Sequence, residues 1–181
     1  MLKKILIVVA VIVVVFLVIV ALQPGEFRVT RSTNISAPQA AVFEQVNDLH
    51  KWEKWNPWGK IDPAMKQSYE GPQAGTGAIY KWAGNKNVGE GRMTITESHP
   101  NDLVRIKLEF FKPFASIADT EFTFKPQGNQ TAVTWAMSGK NNFLAKAMCL
   151  FMSMDKMIGG QFEKGLADMK TIVEAGNKEK T

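Results

Sequence analysis

Cysteine and histidine are nearly missing from this chain. Cys149 stands alone, and His50 and His99 are the only histidines among 181 residues. A single cysteine excludes an internal disulfide framework and a cysteine-based zinc site. Two histidines exclude a three-histidine centre. No metal and no cofactor are therefore expected. Clustered charge of one sign is missing too. The formal charge is +5, from 22 Lys+Arg and 17 Asp+Glu. Setting aside Lys3 and Lys4 leaves 20 basic against 17 acidic residues, a net of +3, with no run of Lys or Arg. A nucleic-acid surface needs a clustered basic patch, so no nucleic-acid partner is expected. Phosphate loops are missing as well: Gly75-x-Gly77 and Gly89-x-Gly91 precede no helical pattern.

What is present divides in two. The length fits one standard domain with an appendage. From Ile5 to Leu22 the chain is uncharged and almost wholly Val, Ile, Leu, Phe and Ala. As a helix, those roughly 18 residues rise about 27 Å, close to a hydrocarbon core of about 30 Å. In lipid, a lone segment satisfies its backbone only as a helix. A cleaved signal peptide would have a shorter apolar stretch, about 7–15 residues, and a small-x-small site. Ile19-Val20-Ala21 matches such a site poorly, so an uncleaved single-pass anchor is expected over 1–23. Lys3 and Lys4 put its start in the cytoplasm and the domain outside. Arg28 and Arg31, just past the span, argue the other way.

Residues 27–35 alternate loosely and predict a strand. Pro38 opens a helix through Val42, Phe43 and Val46. Trp52, Trp55 and Trp58 follow at three-residue steps, a helical turn that Asn56-Pro57 opens into a loop. The centre predicts antiparallel strands. The clearest has Val104, Ile106, Leu108 and Phe110 alternating with Arg105, Lys107 and Glu109. Turn clusters between the strands argue a meander. Beyond Gly139, the spacing of Leu144, Met148, Phe151, Ile158, Phe162, Leu166, Met169 and Val173 predicts one helix of about 30 residues, begun by Asn141 or Asn142. Gly159-Gly160 lies mid-stripe, where each glycine costs about 1 kcal/mol. Either the helix bends there or a group approaches its backbone closely. Residues 177–181 are expected as a disordered tail. A sheet with one apolar face needs a cover, and one long amphipathic helix supplies it. The expected class is α+β, a curved antiparallel sheet around a C-terminal helix after one transmembrane helix.

Ile35-Ser36-Ala37-Pro38, Val42-Phe43, Val46, Asp48 and the Trp52/Trp55/Pro57-Trp58 cluster resemble the opening of START-like domains (SRPBCC, Bet v 1-type, polyketide cyclase/dehydrase-related). Phe162-Glu163-Lys164-Gly165-Leu166 resembles their closing helix. The resemblance covers roughly 27–174, which sets the domain at 24–176. It implies a helix-grip fold: seven antiparallel strands wrapped around a long C-terminal helix, enclosing a hydrophobic cavity. It also implies binding of lipids, sterols or polyketides, with a minority of members being cyclases or hydrolases.

Five Trp and 11 Phe are a heavy aromatic load for one small core. Trp55, Trp58, Tyr80, Trp82, Phe110, Phe122 and Trp135 are candidates to line a ligand pocket, joined by Met148 and Phe151 on the terminal stripe. Plain core packing competes for each. Trp58 and Trp82, beside turn residues, are the candidates for its mouth. Met152, off the stripe, is a candidate membrane or partner contact. No catalytic residue is expected. Glu109, Asp119 and Glu121 read as solvated strand faces. Glu97, Ser98 and His99 are adjacent and cannot converge as a triad. Cys149 reads as a buried or lipid-facing thiol. The chain thus reads as a membrane-anchored binding protein for a hydrophobic small molecule, lipid or isoprenoid/polyketide-like, held by burial of its CH₂ groups. A polyketide cyclase/dehydrase-type enzyme and a closed-core structural or stress-response partner are the alternatives.

Overall fold

A computed structural model describes residues 1–178. The apolar run forms helix α1 (Leu2–Ala21), whose side chains are exposed except Val20. Four residues later strand β1 (Glu26–Ile35) begins. Helix α2 (Gln39–Asn47) starts after Pro38, which has no N–H to leave unpaired. A 3₁₀ turn over Leu49–Lys54 is capped by Asp48, whose carboxylate accepts from the His50 N–H at 3.0 Å. Then come β2 (Lys66–Glu70), β3 (Ile79–Ala83), β4 (Glu90–His99), β5 (Leu103–Lys112), β6 (Ser116–Gln127) and β7 (Gln130–Lys140). They form one seven-stranded antiparallel sheet in the order β1-β7-β6-β5-β4-β3-β2. The meander holds from β2 to β7, and β1 closes on β7.

Alternation decides which side chains face inward. Cross-strand register sets them in rows. Trp82, Gly91, Phe110 and Ser116 form the row nearest the end where α1 joins, here the proximal end. Tyr80, Met93, Leu108, Ala118, Gly139 and Phe27 form the next. Ile95, Ile106, Thr120, Met137 and Val29 follow, then Val104, Phe122, Trp135 and Arg31. Charge sits on the outer face, where Arg92 donates to Glu109 at 2.6 Å and Arg105 pairs with Glu97 and Glu121. The Arg92 hydrogen bond, joined by Lys107, holds the Glu109 carboxyl below the usual range.

The cover is helix α4 (Met154–Lys178), which packs chiefly along β1 and buries Phe162, Leu166, Met169 and Val173. Its two central glycines differ. A Cβ on Gly159 would overlap the Arg31 guanidinium, whereas one on Gly160 would meet nothing within 4 Å. Arg31 lies on the inner face of β1 and is clamped by two carboxylates of α4. Its Nε donates to Glu163 at 2.6 Å, and its Nη1 and Nη2 donate to Asp155 at 2.8 and 2.9 Å. The close approach expected at the glycine pair is therefore a cation, and only Gly159 makes room for it.

Two expectations need correction. The terminal helix is not continuous. Helix α3 (Phe143–Cys149), capped by the Asn142 side chain, is separated from α4 by Leu150–Ser153. The Ser153 hydroxyl accepts from the Lys156 N–H and restarts the helix. The sheet ends at Lys140, so side chains of α3 have no strand to pack on, and α3 lies against α1 instead. Accordingly Met148 and Phe151 point outward, Phe151 with 80% exposure. The tail is the second correction: α4 runs to Lys178, so the first two residues of 177–181 are helical. The other three lie outside the described residues.

Candidate functional site

The distal half of the interior is filled by rings. Trp135 stacks on Phe162 at 3.9 Å between centroids and on Phe122 at 4.8 Å. Trp52 and Trp55 meet these rings edge-on. The indole N–H groups of Trp52 and Trp55 donate to the carbonyls of Val46 and Gln45 at 2.9 and 3.1 Å. Trp55, Phe122 and Trp135 are thus core residues, each 2% exposed or less. Trp58 is partly exposed and packs edge-on against Trp135 and Phe162. Gly165 lets α4 come this close, since a Cβ there would touch the Trp135 ring at 3.0 Å.

The proximal half is less tightly closed. Trp82 and Phe110 are only partly buried and meet at 5.7 Å, edge to face. The Trp82 ring lies flat over Gly91, where a Cβ would stand 2.5 Å from it. Tyr80 stacks parallel to Trp82 at 6.0 Å and is itself buried. Three buried polar atoms on this inner face have no hydrogen-bond partner: the Tyr80 hydroxyl, Thr120 Oγ1 and Trp135 Nε1. Buried polar groups are ordinarily paired, and an unpaired one costs about 1–3 kcal/mol. Burial, helped by the charge of Glu53, pushes the Tyr80 phenol up to about 12, so it stays a neutral donor at physiological pH. A fourth unpaired atom, Asn141 Oδ1, lies in the β7–α3 turn, away from this face.

A second constellation lies at the distal end, and nothing in the sequence reading anticipated it. A groove of about 480 Å³ is lined by Leu49, His50, Tyr69 and the β2–β3 turn. Asp48 Oδ1 stands 3.2 Å from His50 Nδ1, and Asp48 Oδ2 accepts from Gln73 at 3.2 Å. The His50 ring stacks on Tyr69 at 3.9 Å. Tyr69 donates to Glu53 at 2.8 Å, and burial followed by that bond raises its pKa above the ordinary phenol range. A buried carboxylate that orients an imidazole resembles half of an acid–base apparatus. The Asp48-x-His50 spacing was the available signal. The stacking partner Tyr69, 19 residues on, comes into place only through β2.

Other candidates fall elsewhere. Met148 and Phe151 are outside the interior. His99 pairs with Glu97 at 3.1 Å, whereas Ser98 hydrogen-bonds Asn47 at 2.7 Å, so these three neighbours do not converge. A smaller hollow of about 270 Å³ lies on the outer sheet face, between Arg28, Arg105 and Asp119. Among the described residues no three His, Cys, Asp or Glu side chains gather as a metal site.

Comparison with known proteins agrees with this architecture. No curated protein matches the chain in sequence. Among solved structures, the Aha1 dimer from Colwellia psychrerythraea superposes with a TM-score of 0.60 at 16% identity, covering 83% of this chain and 98% of that one. Protein CV1439 from Chromobacterium violaceum gives 0.58 at 15% identity, covering 83% and 98%. Ara h 8.0201 gives 0.53 at 8% identity, covering 83% and 97%. At such identities the likeness is one of fold, the helix grip. The family model described as polyketide cyclase/dehydrase and lipid transport matches residues 26–174, from the start of β1 almost to the end of α4. Sheet, covering helix and sequence profile coincide over the same span, and the chain belongs to that family, within the START-like superfamily.

Proposed function

We propose that this chain is a membrane-anchored binding protein for a hydrophobic small molecule, lipid or isoprenoid/polyketide-like, lodged between the sheet and α4. The supporting observation is the set of three unpaired buried polar atoms among aromatic side chains. Tyr80, Thr120 and Trp135 offer two hydroxyls and one N–H to an otherwise apolar interior. An apolar molecule with one or two oxygen acceptors would pair them, while its chain lies against Trp82, Phe110 and Leu108. Each buried CH₂ contributes about 0.8 kcal/mol, so a long chain needs no charged anchor. Helix α1 would hold the domain at the bilayer, the source of such molecules.

The test is native mass spectrometry of the detergent-purified full chain, with organic extraction, beside titration by cis-parinaric acid. The expected results are a co-purifying lipid-like species and energy transfer from the tryptophans, reduced in Thr120→Val. An empty protein that takes up no parinaric acid would overturn this reading. The Asp48–His50 pair favours a second reading, a cyclase/dehydrase-type enzyme using His50 as general base in the distal groove. Under that reading His50→Gln abolishes turnover of an aromatic polyketide substrate without changing parinaric acid uptake.

A further inference from the structure

Beyond Leu22, most of the large apolar side chains that are exposed among the described residues cluster at the proximal end. Phe111 lies at the end of β5, Phe114 in the β5–β6 turn, and Phe143, Leu144 and Met148 in α3. Phe151, in the link to α4, is the most exposed. The distal turns carry none, and those on the outer sheet face, Phe111 and Ile117, lie at the proximal ends of β5 and β6. Soluble surfaces scatter single apolar side chains, so concentration at one end marks a docking surface.

The chain itself indicates what covers it. Helix α1 ends at Ala21, and only Leu22–Gly25 separate it from β1. Fully extended, four residues reach about 14 Å, so the proximal end cannot leave the neighbourhood of the helix end. The junction is also fixed by contacts. Lys146 of α3 donates to the Ala21 carbonyl at 3.2 Å. Asn141 donates from its side chain to Pro24 and from its backbone to Gly25. Val20 is fully buried at this junction, alone among the side chains of α1. Lys86 in the β3–β4 turn and Lys140 at the end of β7 stand at the same end, where anionic headgroups would meet them.

We infer that the proximal end is a bilayer-docking surface: α3, the link to α4 and the β5–β6 turn seat their apolar side chains in the interfacial layer beside α1. This rests on reading α1 as a membrane span. It goes beyond tethering, because the domain's own surface enters the lipid. It also aims the partly buried Trp82–Phe110 row, at the same sheet end, toward the bilayer, so a ligand would pass from lipid to interior with little exposure to water.

The test uses the full chain in nanodiscs of phosphatidylcholine and phosphatidylglycerol. Single cysteines replace Phe114, Phe151, Asn129 at the distal β6–β7 turn, and Val13 in α1, in a Cys149→Ser background. Each carries a nitroxide, and its accessibility to oxygen is compared with that to an aqueous nickel chelate. The expected oxygen-to-nickel ratio at 114 and 151 is several-fold above that at 129 and approaches that at 13. Equal ratios at 114, 151 and 129, with position 13 in lipid, overturn docking and leave the span standing. An aqueous signal at 13 overturns the span reading and docking with it. Shielding of 114 and 151 from both reagents identifies a protein partner or a second copy as the occupant and overturns the bilayer.

Discussion

Replacing Gly159 and Gly160 one at a time by alanine should move stability in different directions, although the two are neighbours in one helix. Alanine in a helix interior is favoured over glycine by about 1 kcal/mol. At Gly160 the added methyl meets nothing within 4 Å, so that gain should appear in full. For a domain of this size it corresponds to a rise in Tm of about 2–4 °C. At Gly159 the methyl occupies the place of the Arg31 guanidinium. An arginine tip is flexible and would ordinarily swing aside at little expense. Here it is tied to Glu163 and Asp155 by three bonds of 2.6 to 2.9 Å. The methyl must break that geometry or push α4 off β1, and either offsets the helical gain. Gly159→Ala should therefore be no more stable than the parent.

A double-mutant cycle isolates the cause. In an Arg31→Thr background the guanidinium is gone, and Gly159→Ala should recover the full gain of about 1 kcal/mol. Thermal unfolding of the detergent-solubilised chain, followed by circular dichroism at 222 nm, measures all the variants. If Gly159→Ala stabilises the parent as much as Gly160→Ala does, the clamp reasoning is wrong. If it fails to stabilise even without Arg31, something other than the cation needs the glycine.

Three further outcomes are expected. Tyr80→Phe removes an unpaired buried hydroxyl, so the ligand-free protein should gain about 1 kcal/mol while parinaric acid binding weakens; a loss of stability in differential scanning fluorimetry would mean the hydroxyl is paired after all. Phe162→Ala removes the ring stacked on Trp135 and should destabilise by about 3–5 kcal/mol in urea titration, where a change below about 1 kcal/mol would contradict a closed distal core. Arg31 holds the Asp155 carboxyl below its ordinary value, chiefly by hydrogen bonding, so the folded state takes up this proton less readily than the unfolded one. That contribution is present above about pH 4 and is lost as pH falls through the lowered pKa. Asp155→Asn should flatten the acid limb of Tm against pH, and an unchanged limb would assign acid sensitivity elsewhere.

The strands were legible because one face of each packs and the other is wetted. Val104, Ile106 and Leu108 against Arg105 and Lys107 state that division in their order alone. The glycine pair was legible as a close approach, but its partner was not, since Arg31 lies 128 positions earlier and reaches α4 only once β1 has closed on β7. The distal groove was hidden for a similar reason. Asp48 announces itself as a helix cap, and its hold on His50 reads as local until β2 brings Tyr69 beneath the imidazole.

The terminal stripe failed more instructively. Leu144, Met148 and Phe151 continue the spacing of Phe162, Leu166 and Val173, so periodicity joins them into one helix against one sheet. Periodicity reports that a face is apolar and not which apolar phase it meets. The sheet ends at Lys140, and beyond it the neighbour is α1, a helix exposed along nearly its whole length in the protein alone. The seven-residue step between Phe151 and Ile158 marks where the partner changes. After it the stripe packs on strands and is buried; before it the same kinds of side chain face outward beside α1. Read together with α1, the exposed half of the stripe is no packing defect. It is the portion of an amphipathic pattern that the proposed bilayer docking would cover.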